Sequence, residues 1–155
     1  MITQSLSWDE VTLAAIHGVL RQVAAMRGNR KDNSHNGTDP WTGNIQGACA
    51  EMAWSKYRGG YWTGLSFIGA RDSGPYEVRW VHRSDYNLLA YKKDDSYLVL
   101  AEGEAPNVRF HGWIHSRECK RAEWWIPNPK SPDGGYYKVP RSRIDERFVG
   151  DELPA

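Results

Sequence analysis

At 155 residues, with 40% hydrophobic and 25% charged residues, the chain is long enough for one packed domain and too ordinary in composition to be disordered or fibrous. A net charge of +1 excludes a uniformly basic nucleic-acid binder, so any such binding has to work through a local patch. No apolar run approaches a membrane span, and the polar start MITQSLSWDE does not read as a secretory leader.

Residues 7–27 are predicted to form an amphipathic helix. Ser7 and Glu10 have capping-box spacing, Val11, Ala14, Ala15, Val19, Val23 and Met26 recur at helical spacing, and Gly28 is the expected stop. Residues 28–43 are rich in Gly, Asn, Asp and Ser and read as a mobile loop. It follows Arg27 and carries Arg30, Lys31 and His35, which suit either a solvated loop or a flap that touches phosphate. A second helix is expected over 44–58, with Ile45, Ala48, Cys49, Met52, Ala53 and Tyr57 on one stripe and Glu51 on its flank.

Strands follow at 61–68, 75–82, 86–92, 97–101 and 108–115. In 75–82, Tyr76, Val78, Trp80 and His82 share one face, and Glu77, Arg79 and Val81 the other. The apolar run 97–101 suits a central strand, and the turn KKDDS predicts a hairpin with 86–92. In 108–115, alternation places Arg109, His111, Trp113 and His115 on one face. Ser116 is the expected cap of a helix reaching Trp125. After it come a Pro/Gly-rich loop, a short strand YYKV, a last helical turn in SRIDERF and a frayed DELPA tail. The whole reads as a single α+β domain over 1–155, a central mixed β-sheet flanked by helices.

Three carboxylates, Glu51, Asp72 and Glu77, stand in that order, with Arg79 two places after the last. Carboxylates brought together from a helix, a turn and a strand can hold a hard cation, which can activate water against a phosphodiester. Glu77 and Arg79 point the same way from a strand, so the cation would lie beside a bound phosphate. Glu and Arg on one strand face can equally pair with each other, and Asp in DSGP is a common turn residue.

The run resembles the PD-(D/E)XK nuclease superfamily, and more closely small phage-encoded proteins grouped with it. The resemblance rests on Gly47, Glu51 and Ala53, on Asp72, on Glu77-Val78-Arg79, and on YLVLAEGE and VRFHGWIHSREC, covering 44–125. It implies a restriction-endonuclease-like core and a metal-dependent endonuclease or exonuclease that hydrolyses DNA in the cytoplasm of an infected bacterial host. It makes Asp72, Glu77 and Glu51 ligands of Mg²⁺ or Mn²⁺, and Arg79 the contact to the scissile phosphate. Two features depart from the pattern. Arg79 stands where the family has lysine, and arginine is a permanently charged fork that does not exchange protons. Only five residues separate Asp72 from Glu77, where the pattern has a hairpin. The alternative is a non-catalytic phage accessory protein on a nuclease-like scaffold, binding nucleic acid or a host protein.

Arg30, Lys31, Arg109, His111, Trp113 and His115 are the candidate nucleic-acid contacts, with DNA favoured over RNA and Trp113 stacking on a base. A host protein and a second copy of the chain are further candidate partners. His111, His115 and Cys119 lack the tight spacing of a zinc site, and Cys49 on an apolar stripe reads as a packed, reduced thiol, as does Cys119.

Overall fold

A computed structural model describes residues 1–29, 38–64, 74–129, 131 and 133–145. Chain order is β1 (Ile2–Ser5), α1 (Trp8–Arg27), α2 (Pro40–Tyr57), β2 (Tyr76–Val81), β3 (Leu88–Ala90), β4 (Tyr97–Glu102), β5 (Asn107–His115) and α3 (Ser116–Cys119). A 3₁₀ turn (Ala122–Trp124), β6 (Trp125–Pro127), β7 (Gly135–Val139) and α4 (Ser142–Asp145) complete it. The fold is α+β. A mixed four-stranded sheet in the order β1-β5-β4-β2 has β2 parallel to β4 and its other pairs antiparallel. A separate antiparallel sheet runs β3-β7-β6. No helix among the described residues is long and apolar enough to cross a membrane.

Local chemistry sets both long helices. Ser7 and Glu10 form the expected capping box, and the Gly28 N–H donates to the Ala24 carbonyl at 3.0 Å. The second helix starts at Pro40, four residues before the expected boundary. Asp39 caps it by accepting from the Trp41 and Thr42 N–H groups at 3.0 and 3.1 Å, and proline suits the first helical position. The helices approach through Gly18, where a Cβ would lie 2.5 Å from Ile45 Cα. Of the expected α1 stripe only Ala14 is fully buried, and Val19 and Met26 are exposed, because α1 buries its Ala14–Gly18 side against α2.

The four-stranded sheet has a core on each face. On the helical side, Trp54 of α2 packs against Tyr57 and edge-on to Tyr76 and Phe110, at ring distances of 5.5, 5.4 and 5.1 Å, with Trp80, Val99, Ala101, Val108 and Trp113 nearby. On the other side Val81, Leu98, Leu100 and Ile114 pack with Leu88, Val139, Cys119 and Ile144. Strand β4 is covered on both faces, as its apolar run predicts.

Several sequence expectations are corrected. β3 and β4 do not form a hairpin; β3 pairs with β7 in the second sheet, and β4 lies between β2 and β5. The turn between them is held by Asp94, whose side chain accepts from the Tyr91 N–H at 2.9 Å and so turns inward. Tyr61–Gly64 is irregular rather than strand, and 65–68 lie outside the described residues. The short polar strand β1, unsuspected in the sequence, pairs with β5. The helix after β5 stops at Cys119, and its N-cap is His115, whose Nδ1 accepts from the Arg117 N–H at 3.2 Å. Ser116 is instead buried in its first turn, where Oγ accepts from the Ser96 N–H at 3.1 Å.

Candidate functional site

Glu51 lies on α2, between the two long helices. Its carboxylate is held end-on by Arg21 of α1, with Nη1–Oε1 2.8 Å and Nη2–Oε2 2.6 Å. Both side chains are largely buried. A two-pronged arginine–carboxylate contact of this kind is a strong, directional clamp between helices.

Glu77 and Arg79 lie on the opposite face of the sheet. Tyr76 and Trp80 point into the core beneath α2, so strand alternation sends Glu77, Arg79 and Val81 to the other side. The expected pairing of direction therefore holds, and Arg79 Nη2 bonds Glu77 Oε1 at 2.7 Å. The same nitrogen reaches Asp94 Oδ2 at 3.2 Å, and the guanidinium sits over the Tyr91 ring at 5.4 Å. Ser96 Oγ completes the cluster by donating to Glu77 Oε2 at 3.4 Å. Burial pushes the Tyr91 hydroxyl pKa up, against the pull of Arg79. Asp94 is almost fully buried, whereas Glu77 is half-exposed. The sequence offered Asp94 only as one aspartate of KKDDS; its position after a short strand and before an apolar run was the available signal.

Asp72 lies outside the described residues, as do Arg30 and Lys31. The expected trio is thus divided, with Glu51 beneath the helices and Glu77 across the sheet. Among the described residues no three His, Cys, Asp or Glu side chains are grouped to hold a metal. The two carboxylates that do converge, Glu77 and Asp94, share the Arg79 guanidinium, which occupies the place a cation would take. These residues alone do not fit Mg²⁺ or Mn²⁺.

The set Arg109, His111, Trp113 and His115 is also split. The β4–β5 register passes from Leu100↔Gly112 to Ala101↔Phe110, leaving His111 as the extra residue of a β-bulge. Before the bulge Arg109 faces away from the helices; after it Trp113 and His115 face them. Trp113 is 8% exposed and packs edge-on against Tyr97 at 5.3 Å, so it offers no stacking surface for a base. His115 is half-buried, edge-on to Tyr97 at 4.8 Å. The bulge likewise separates His111 from His115, so the two do not join Cys119 in a zinc group. Cys49 is buried, and burial pushes its thiol up to about 11.

Arg109 and His111 instead join a second ionic cluster around Glu102, at the far end of β4. Glu102 is 3% exposed. Its carboxylate lies 2.9 Å from Arg109 Nη2, 2.8 Å from His111 Nε2 and 3.0 Å from Arg141 Nη2, and Arg141 Nη2 also contacts the His111 ring. Burial alone would raise its pKa, but the Arg141 hydrogen bond and the charges of His111, Arg109 and Arg141 outweigh it, and the carboxyl titrates below its ordinary value. Arg141 also donates to the Ser84 carbonyl, tying the segment before α4 to the turn after β2. Neither Glu102 nor Arg141 stood out in the sequence, since 39 residues separate them.

Beyond Asp94 the surface is aromatic and rich in cations, with the exposed carboxylates of Asp95 and Glu123 among them; Glu123 lies 3.7 Å from Arg121. Lys92 Nζ lies 4.5 Å from the centre of the Trp125 ring, and the Arg121 guanidinium 4.8 Å from that of Trp124. Lys120 donates to the Asp94 carbonyl at 2.8 Å, which joins this ridge to the Glu77–Arg79–Asp94 cluster. Lys92, Lys93, Lys120 and Arg121 are exposed, and Trp124 and Trp125 half-buried.

No protein-family model, no curated protein and no solved structure matches this chain.

Proposed function

We propose that this chain is a non-catalytic nucleic-acid-binding protein on a nuclease-like scaffold. The observation that carries this reading is that both described carboxylates of the expected trio are neutralised by arginine, Glu51 by Arg21 and Glu77 by Arg79, on opposite faces of one sheet. A permanently charged guanidinium between Glu77 and Asp94 leaves no protonic or open ligand position there. The resemblance to phage proteins of restriction-endonuclease-like core supplies the scaffold and the setting, the cytoplasm of an infected bacterium. The ridge of Lys92, Lys93, Lys120 and Arg121 with Trp124 and Trp125 supplies the surface: cations for phosphate and indoles for bases, on a chain whose net charge is too small for general basic binding.

The test is fluorescence anisotropy with labelled single-stranded and duplex DNA, beside a cleavage assay in Mg²⁺ and Mn²⁺. Binding is expected to weaken with salt and to fall about tenfold in the double variant Lys120→Ala/Arg121→Ala, without metal-dependent cleavage. An absence of binding at low salt, or binding indifferent to that variant, removes the ridge as the site.

A second reading, the metal-dependent DNA nuclease, is favoured by one observation. Two carboxylates, Glu77 and Asp94, converge on one point, which the Arg79 guanidinium fills. Cleavage that requires Mg²⁺ or Mn²⁺ and is lost in Glu77→Ala selects this reading over the first.

A further inference from the structure

Helix α1 carries a second apolar seam, on the side away from α2. Asp9, Leu13, Ile16, Leu20, Val23 and Arg27 are spaced four, three, four, three and four. At about 100° per residue all six fall within roughly 80° of the helix circumference, opposite Gly18. This is the alternating spacing of a coiled-coil seam. Within the protein it meets water: Leu13, Ile16 and Leu20 are 50%, 53% and 48% exposed, and Val19 beside them is 38% exposed. Asp9 and Arg27, at the two ends, are exposed and have no ion-pair partner among the described residues. A row of half-exposed aliphatic side chains along a well-capped helix is a surface built to be covered.

The charges at its ends choose the occupant. Turned end for end about the level of residue 18, the seam maps onto itself: Ile16 falls on Leu20, Leu13 on Val23 and Asp9 on Arg27. Asp9 and Arg27 lie about 27 Å apart along the axis, so both ends meet at once in a single antiparallel register. A parallel pair would set Asp9 against Asp9 and Arg27 against Arg27.

We propose that α1 is the interface between two copies of this chain, packed antiparallel about a twofold axis level with residue 18. Ile16 and Leu20 form its centre, and two Asp9–Arg27 pairs close its ends. Such an isologous contact uses the same patch on both copies. One helix pair is small for an interface, so the dissociation constant falls in about the micromolar range.

Sedimentation equilibrium of the full chain, across about 1 to 200 µM, tests this. A concentration-dependent monomer–dimer equilibrium is expected. Leu20→Glu should weaken it about thirtyfold or more with helical circular dichroism unchanged. Arg27→Asp should weaken it by setting two carboxylates against each other at each end of the helix pair, and the double variant Asp9→Arg/Arg27→Asp should restore it. A chain that stays monomeric throughout, or a dimer indifferent to Leu20→Glu, overturns the interface. A dimer that responds to Leu20→Glu but not to Arg27→Asp overturns the antiparallel register.

Discussion

The two faces of the four-stranded sheet are made by the same strands and solve opposite problems. The helical face is mostly apolar, with Tyr76, Trp80, Val99, Phe110 and Trp113 in one cluster with Trp54 of α2. The other face is apolar at Val81, Leu98, Leu100 and Ile114, and carries an ionic cluster toward each end of the β2–β4 pair. Glu77 and Arg79 lie at one end, beside Asp94, and Glu102 lies at the other, beside Arg109, His111 and Arg141. The difference shows where a small fold tolerates charge. On the helical side the buried carboxylate of Glu51 belongs to α2 rather than to a strand, and the two-pronged grip of Arg21 supplies the partners it loses in leaving water. Beneath short strands and turns, each carboxylate finds an arginine, and the cluster edges stay wet. The strands' own charged side chains gather on the second face and its rim.

The comparison breaks most visibly on the helical side. Trp54→Ala empties the centre of the aromatic cluster and is expected to cost about 4 kcal/mol, read from the urea midpoint. On the ionic face the effects should be smaller and unequal. Arg79→Ala leaves Asp94 buried, with the Tyr91 N–H still bonded to it but no cation, for a cost of about 3 kcal/mol. Glu77→Ala removes the half-exposed partner of the same arginine and should cost under about 1 kcal/mol. Equal losses for Arg79→Ala and Glu77→Ala would mean that the cluster acts as one unit and that the exposed edge is not screened by solvent.

The sequence announces the helices and the two-sided strand β4 through local patterns. The capping box at Ser7, the stop at Gly28 and the run 97–101 need no distant partner to be read. Pairing is different. The hairpin expected across KKDDS does not form because Asp94 turns inward to Tyr91 and Arg79, a contact that nothing in the five-residue turn declares. The parity of Glu77 and Arg79 was legible from strand alternation. The parity of His111 and Trp113 was not, since a single bulge residue reverses it. Helical spacing puts Glu51 on the flank of α2, but flank position does not say which neighbour it meets, and Arg21 thirty residues earlier takes it.

At the other end of the ionic face, Glu102 adds a part of the stability that depends on pH. Its native carboxyl keeps its charge to a lower pH than it would in the unfolded chain, where the ordinary value is 4.5. Between those two values the unfolded state binds more protons, so stability rises with pH there. The contribution of Glu102 is complete above the unfolded value and is lost as pH falls through the native one. Glu102→Gln should therefore flatten the acid limb of a stability–pH profile below about pH 5, by at most about 1.4 kcal/mol per pH unit, the slope of one proton. Arg141→Ala should flatten it in the same direction, because the Arg141 hydrogen bond is the strongest contact lowering the Glu102 pKa. A profile unchanged in both variants would mean that the carboxylate is not held by its cations and that the two ends of this face do not share one design.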